Sequence, residues 1–178
     1  MIKGPVNVVG NSSSLFNKEY GNLIDQLPTI RFNHIPNLDP VHQGNRWDYM
    51  ATSNPKELRK WGTSVPFHTW LFTVWSAKTK NEYDRKKFNS DVIQIPDNVW
   101  QSLDKISPKR PSTGLSTLYY LDFLQISDVN IFGFDWKKTK TYYNSETADK
   151  GDSKFHDYIF EETYCLGLIE KNNWTLYQ

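Results

Sequence analysis

Arg110-Pro111-Ser112-Thr113-Gly114-Leu115 opens a run in which Leu115, Leu118, Tyr119 and Leu121 recur at helical spacing. Ser112 has the side chain of a good N-cap. A Ser-Thr-Gly helix start offers free backbone N–H groups and two hydroxyls in the positive field of the helix dipole, which makes it a candidate anion seat. Beyond the helix, Asp128-Val129-Asn130-Ile131-Phe132-Gly133-Phe134 reads as a strand that stops at a glycine. Helix followed by a strand ending in Gly is half of a nucleotide-binding α/β unit.

The other half stands near the start of the chain. Val6-Asn7-Val8-Val9-Gly10 reads as a short buried strand running into the polar turn Asn11-Ser12-Ser13-Ser14. Only Gly10 is present there, so the glycine-rich dinucleotide fingerprint is missing, and no Walker lysine follows. Thr29-Ile30-Arg31-Phe32-Asn33 and Trp47-Asp48-Tyr49-Met50-Ala51-Thr52 are a second and a third strand, with a short helix or loop at 20–25 between the first two. Residues 55–61 suggest a short helix and 67–75 a central strand. The charged stretch 76–90 is expected to be a mobile loop or lid. Val92-Ile93-Gln94-Ile95 is strand-like, and 96–103 reads as a helix with Asp97 near its start. After the Gly133 strand, 137–154 forms a second polar loop. Ser153 is then placed to cap a last helix with His156 in its first turn and Ile159, Phe160, Leu166 and Ile169 as apolar positions. Trp174-Thr175-Leu176-Tyr177 reads as a final edge strand. About six strands alternate with helices, so the fold class is α/β: one Rossmann-like domain over 1–178 with a mostly parallel sheet flanked by helices.

Composition narrows the function. The 178 residues are 38% apolar and 23% charged, enough for a buried core. A net charge of +1 gives no field suited to nucleic acid. Cys165 is the only cysteine, which rules out an internal disulfide and argues against structural zinc. No apolar run has the length of a membrane span and no signal-peptide core is present. The expected setting is cytoplasmic, with peripheral contact at the inner face of a membrane left open.

Candidate chemistry collects at strand ends. In an open parallel sheet, ligands bind beyond the carboxyl ends of the strands, where Asn11, Asn33, Asn54 and Gly133 fall. Asn amides both donate and accept, which suits ribose hydroxyls and phosphate oxygens without a metal. His156, at a helix start, is expected to be held neutral by the helix field and is a candidate general base. His34, His42 and His68 lack metal-ligand spacing. No Asp-x-Asp pair is present to hold a divalent ion against a nucleotide diphosphate, which points to a donor with a single phosphate.

Three clusters resemble the animal-type sialyltransferase motifs. Val8-Val9-Gly10-Asn11-Ser12, Tyr20-Gly21, Ile24-Asp25 and Arg31-Phe32-Asn33 are similar to the large sialylmotif. Pro111-Ser112-Thr113-Gly114 with Asp128-Val129 and Phe132-Gly133-Phe134 is similar to the small one. His156-Asp157-Tyr158-Ile159-Phe160-Glu161 matches the His-x4-Glu motif. Asn54-Pro55, Arg110, Gly133-Phe134-Asp135-Trp136 and the tyrosines that follow also resemble the bacterial lipooligosaccharide sialyltransferases. The resemblance implies a GT-A variant fold. It implies an inverting, metal-independent glycosyltransferase that moves sialic acid from CMP-sialic acid to a sugar hydroxyl of a glycan or glycolipid, with no cofactor. A transferase using another CMP-linked keto-acid sugar such as CMP-Kdo, or an inactive CMP-binding protein, are the alternatives.

Carried onto this sequence, the resemblance gives Asn11 and Asn33 contacts to CMP. Ser112, Thr113 and Gly114 would hold the phosphate or the sugar carboxylate, and Gly133 would admit the backbone to the cytidine. His156 would be the base, and Tyr142 or Tyr143 would stabilise the phosphate. Ser12, Asn54, Arg110 and Asp135 complete the donor side. The chain departs from the animal-type pattern in lacking the paired cysteines and the histidine of its His-Tyr motif, here Thr141-Tyr142-Tyr143-Asn144.

Overall fold

A computed structural model describes residues 2–33, 38–54, 69–73, 91–142 and 154–178. Its described strands are β1 (Val6–Val9), β2 (Thr29–Phe32), β3 (Tyr49–Thr52), β4 (Thr69–Phe72), β5 (Asp91–Gln94), β6 (Val129–Phe132) and β7 (Thr175–Tyr177). They form one seven-stranded sheet in the order β5-β4-β3-β2-β1-β6-β7. Every described strand pairing is parallel. Val-Asn-Val-Val in β1 is buried at all four positions, as a parallel strand covered on both faces requires. The chain steps outward from β1 to β5, then returns to lay β6 against the free side of β1. That reversal is a topological switch point, where open α/β sheets bind ligands.

The described helices are α1 (Gly21–Ile24), α2 (Pro40–Gln43), α3 (Asp97–Ile106), α4 (Thr113–Phe123) and α5 (Tyr158–Asn172), with a 3-10 turn at Ser13–Asn17. Val8, Ile30, Ala51, Leu71 and Ile131 share one core with residues of α3, α4 and α5. Val9 and Phe132 turn to the other face, against Leu15, Tyr20 and Ile24. The polar strand residue Asn7 is accommodated on that second face. Its amide donates to the Ile24 carbonyl at 2.8 Å and accepts from Asn130 at 3.1 Å, so its burial leaves both ends of the amide bonded.

Four readings of the sequence need adjustment. The described strands alone number seven rather than about six. The stretch read as central, β4, lies one place in from the β5 edge; Trp70, Leu71 and Phe72 are nevertheless buried, because both faces of the sheet are covered there. The last helix begins after His156, with the Asp157 carboxylate as its cap accepting from Phe160 N at 3.0 Å. Ile159 and Leu166 point outward, at 73% and 41% exposure, while Glu161, Cys165 and Leu168 face the core. The expected helix at 55–61, the loop at 76–90, Ser153, His34, His68 and Tyr143 lie outside the described residues. So does 143–153 of the expected 137–154 loop.

Candidate active site

Gly10 and Gly133 bring the ends of β1 and β6 into contact at the switch point. Gly10 N donates to the Phe132 carbonyl at 2.7 Å. A Cβ on Gly10 would stand 2.3 Å from the Gly133 carbonyl oxygen, inside any allowed contact. Gly133 has a φ of +64°, a left-handed value that glycine adopts freely. The two backbones thus form the floor of a crevice whose lining includes Asn11, Asn33 and the start of α4.

The walls are built from short polar side chains that hold each other. Asn11 Nδ2 donates to the Phe32 carbonyl at 3.0 Å, clamping the ends of β1 and β2. Asn33, also in the left-handed region at φ 57°, takes a hydrogen bond from Thr52 at 3.3 Å through its side-chain oxygen. Ser12 donates to Asp135 Oδ2 at 2.7 Å, and the same oxygen accepts from Thr139 N at 2.8 Å. Asp135 Oδ1 accepts from Lys137 N at 3.1 Å. Asp135 is therefore the tie between the loop after β6 and the loop after β1.

At the start of α4 the anion seat already holds a carboxylate of the chain itself. Ser112 N donates to Glu161 Oε1 at 2.7 Å, and Ser112 Oγ donates to Oε2 at 2.6 Å. Ser112 Oγ in turn accepts from Leu115 N at 3.1 Å, as an N-cap should. Glu161 is 3% exposed. Burial pushes its carboxyl up to about 7, against the downward pull of the two hydrogen bonds from Ser112, and Asp157 adds to the rise.

His156 stands beside this pair, its Nδ1 3.9 Å from Glu161 Oε1. Nδ1 donates to the Arg110 carbonyl at 2.7 Å. Arg110 Nη2 donates to His156 Nε2 at 3.2 Å. A carbonyl only accepts and a guanidinium only donates, so both contacts select the same neutral tautomer, with the proton on Nδ1 and the lone pair on Nε2. The expected neutrality therefore has a local cause, Arg110, rather than a place within the helix.

The structure brings Asn11, Ser12, Asn33, Ser112, Gly114, Gly133, Asp135 and His156 to one crevice. Arg110 reaches it through His156. Thr113 turns toward the end of β3, donating to Ser53 Oγ at 3.3 Å, and Asn54 stays on that side of the sheet, its N–H on Thr52 Oγ1 at 3.2 Å. Tyr142 N donates to the Asn11 carbonyl at 3.1 Å and its ring packs edge-on to Phe16 at 6.0 Å; it is not among the residues lining the crevice, though its neighbour Thr141 is. Sequence reasoning passed over Glu161 and Lys137 as site residues. Glu161 was visible as the last residue of the His-x4-Glu spacing; Lys137 carried no signal beyond a short basic pair. Arg31 was also missed as a structural cation. It is 2% exposed and donates to the carbonyls of Gln43 at 2.6 Å and Arg46 at 2.9 Å. Burial lowers its pKa to about 10, opposed by Tyr142 and Asp25, so it stays charged at neutral pH.

A doubly wound parallel sheet with a polar crevice at its switch point defines a nucleotide-binding type of α/β architecture. Solved structures narrow the fold further. The chain is similar to a point variant of the sialyltransferase Cst-II in complex with CMP, with a TM-score of 0.65 and 14% identity over 99% of this chain and 80% of that one. It is similar to CstII from Campylobacter jejuni in complex with cytidine-5′-monophosphate, with a TM-score of 0.64 and 15% identity over 99% and 80%. The same enzyme in complex with the substrate analogue CMP-3FNeuAc gives a TM-score of 0.62 and 16% identity over 99% and 81%. No family model and no curated protein matches the sequence. The fold is the GT-A-like α/β fold of the CstII sialyltransferase.

Proposed function

We propose that this protein is a sialyltransferase that moves sialic acid from CMP-sialic acid to a sugar hydroxyl of a glycan or glycolipid, with inversion and without a metal ion. The observation that carries the reading is a neutral His156, lone pair on Nε2, beside the Ser112–Glu161 seat, in a fold whose solved counterparts are complexes with CMP. Asn11 and Asn33 face the cytidine side, and Gly133 lets the backbone approach the nucleotide. Thr113 and Gly114 keep backbone N–H groups at the α4 start for the donor's phosphate or carboxylate.

In the transfer step, His156 Nε2 takes the proton of the acceptor hydroxyl as its oxygen attacks the anomeric carbon. The bond to the phosphate oxygen breaks on the opposite face, and CMP leaves with the electron pair. For this, the acceptor hydroxyl must replace Arg110 on Nε2. Metal independence is supported by the acids lining the crevice: Asp135 is engaged by Ser12 and Thr139, and Glu161 by Ser112.

The test is thermal-shift screening with CMP, CDP, UMP and UDP, with and without chelator, followed by release of CMP from CMP-sialic acid. CMP is expected to stabilise the protein in the presence of chelator. His156→Ala is expected to lower transfer by ~10²–10⁴-fold while CMP binding persists. Stabilisation by UDP only with a divalent metal, or full transfer by folded His156→Ala, would overturn the assignment.

A further inference from the structure

We infer that Glu161 is a proton-linked positioning residue for the donor: the bound CMP-sugar holds it in the protonated form, which frees the Ser112 hydroxyl for the donor's anionic group. The inference rests on the CMP-sugar reading above and adds the state in which the α4 seat receives its ligand. Ser112 Oγ has one hydrogen to give and two lone pairs to fill. One lone pair accepts from Leu115 N at 3.1 Å. A carboxylate only accepts, so an ionised Glu161 takes the single hydroxyl hydrogen at Oε2, 2.6 Å away. Once Oε2 carries a proton, the same contact runs the other way. Glu161 then donates to Ser112 Oγ, both lone pairs are filled, and the hydroxyl hydrogen is released to the crevice that Ser112 and Glu161 both line. Ser112 N keeps its bond to Oε1, which accepts in either state.

Charge points the same way. The donor's phosphodiester and sugar carboxylate are anions, and Glu161 stands at the helix start that would receive one of them. It is 3% exposed, so little solvent screens it, and none of the described lysines or arginines ion-pairs with it. A donor at the first N–H groups of α4 therefore meets either a like charge or a neutral acid, and its binding favours the acid. Burial has already raised the carboxyl to about 7, so water supplies the proton at neutral pH.

Glu161 is not the acid that orients His156. Its Oε1 is 3.9 Å from Nδ1, whose hydrogen goes to the Arg110 carbonyl instead. The remaining groups around it leave the proton on Glu161. Asp157, the cap of α5, adds a negative charge that favours the neutral acid. Cys165, one turn further along α5, is held protonated by burial, which pushes its thiol up to about 12. Arg110 is turned to His156 Nε2, while Asp135 and Lys137 lie elsewhere in the crevice lining.

Calorimetric titration of the full chain with the substrate analogue CMP-3FNeuAc, from about pH 6 to 8.5, tests this. The phosphodiester and carboxylate of the analogue stay ionised over that range, whereas the phosphate monoester of CMP takes up its own proton at about pH 6. The parent is expected to lose about 10-fold or more in affinity across the range. At the alkaline end it should take up close to one proton per analogue bound, read from the dependence of the heat on buffer ionisation. Glu161→Gln offers an amide oxygen to Ser112 N and an amide N–H to Ser112 Oγ, which makes the neutral arrangement permanent. This variant should bind the analogue at the alkaline end as tightly as the parent does at the acid end, without proton uptake. Adding Ser112→Ala to Glu161→Gln removes the released hydroxyl and should weaken binding by about 10-fold at every pH. A parent with flat affinity and no proton uptake, a folded Glu161→Gln that keeps the parent's slope, or a double variant that binds as well as Glu161→Gln would overturn the role of Glu161 while leaving the transferase reading intact. A parent that binds neither the analogue nor CMP at any pH would overturn both.

Discussion

Glu161 shows how a single buried side chain alters the meaning of a helix start. The N-terminus of α4 has the cap, the hydroxyls and the dipole that suit an anion, and the first anion it meets is this carboxylate, 49 positions away in sequence. Hydrogen bonds from Ser112 favour the charged form and burial opposes it; burial wins, and the pKa rises from 4.5 to about 7. An acid whose pKa is raised on folding contributes stability that is fully present below its unfolded pKa and is lost as pH climbs through the folded one. The window is therefore roughly pH 4.5 to 7, and the whole effect amounts to about 3 kcal/mol. The protein should lose several degrees of thermal midpoint between pH 5 and pH 8 relative to Glu161→Gln, whose amide does not titrate. Parallel melting curves for the two proteins that do not diverge over that range would contradict a protonated, buried Glu161. The sequence signalled an anion seat at Ser112; that the chain itself fills part of it depends on a tertiary contact that no local pattern encodes.

Elements were easier to read than the faces they present. The capped start of α4, the strand ends at Gly10 and Gly133 and the edge strand β7 follow from propensity, turn chemistry and the period-two pattern. The inward stripe of α5 was read only in part: Ile169 is buried and Phe160 packs against the core as expected, but the first fully buried position is an acid. Glu161, Cys165, Leu168 and Ile169 are spaced as i, i+4, i+7 and i+8 and are all buried, whereas the apolar pair Ile159 and Leu166 faces out. A hydrophobicity reading blurs the stripe when a polar residue takes a core place and apolar ones face solvent. The close crossing of β1 and β6 gives a prediction at this scale. In Gly10→Ala, the new methyl would sit 2.3 Å from the Gly133 carbonyl and 2.9 Å from the Phe134 ring. The carbonyl belongs to a backbone turn that cannot give way alone, so a loss of ~2–3 kcal/mol in a denaturant titration is expected. Ser112→Ala should cost ~1 kcal/mol for the cap, and more above pH 7, when Glu161 is ionised and has lost one of its two donors.

For the whole molecule, alternation of strands and helices made the α/β class legible, but strand order was not. Nothing local distinguishes a β6 that extends the sheet beyond β5 from one that returns to β1; that choice rests on how the buried faces close around each other. None of the described helices is long and apolar enough to cross a membrane. The site inherits this topology, because its floor exists only where β1 and β6 touch. The return has a consequence for the order in which the molecule comes into being. Asn7 and Asn130, bonded across the finished sheet, are 123 positions apart. At about 5–20 residues per second a ribosome needs roughly 6–25 s to supply the second after the first. Throughout that interval β1, destined for the interior of the sheet, has an open edge of Val-Asn-Val-Val available to any passing strand. A strand buried at every position in the finished protein thus keeps an open flank through a long stretch of synthesis, and the nascent chain has no crevice until β6 has emerged.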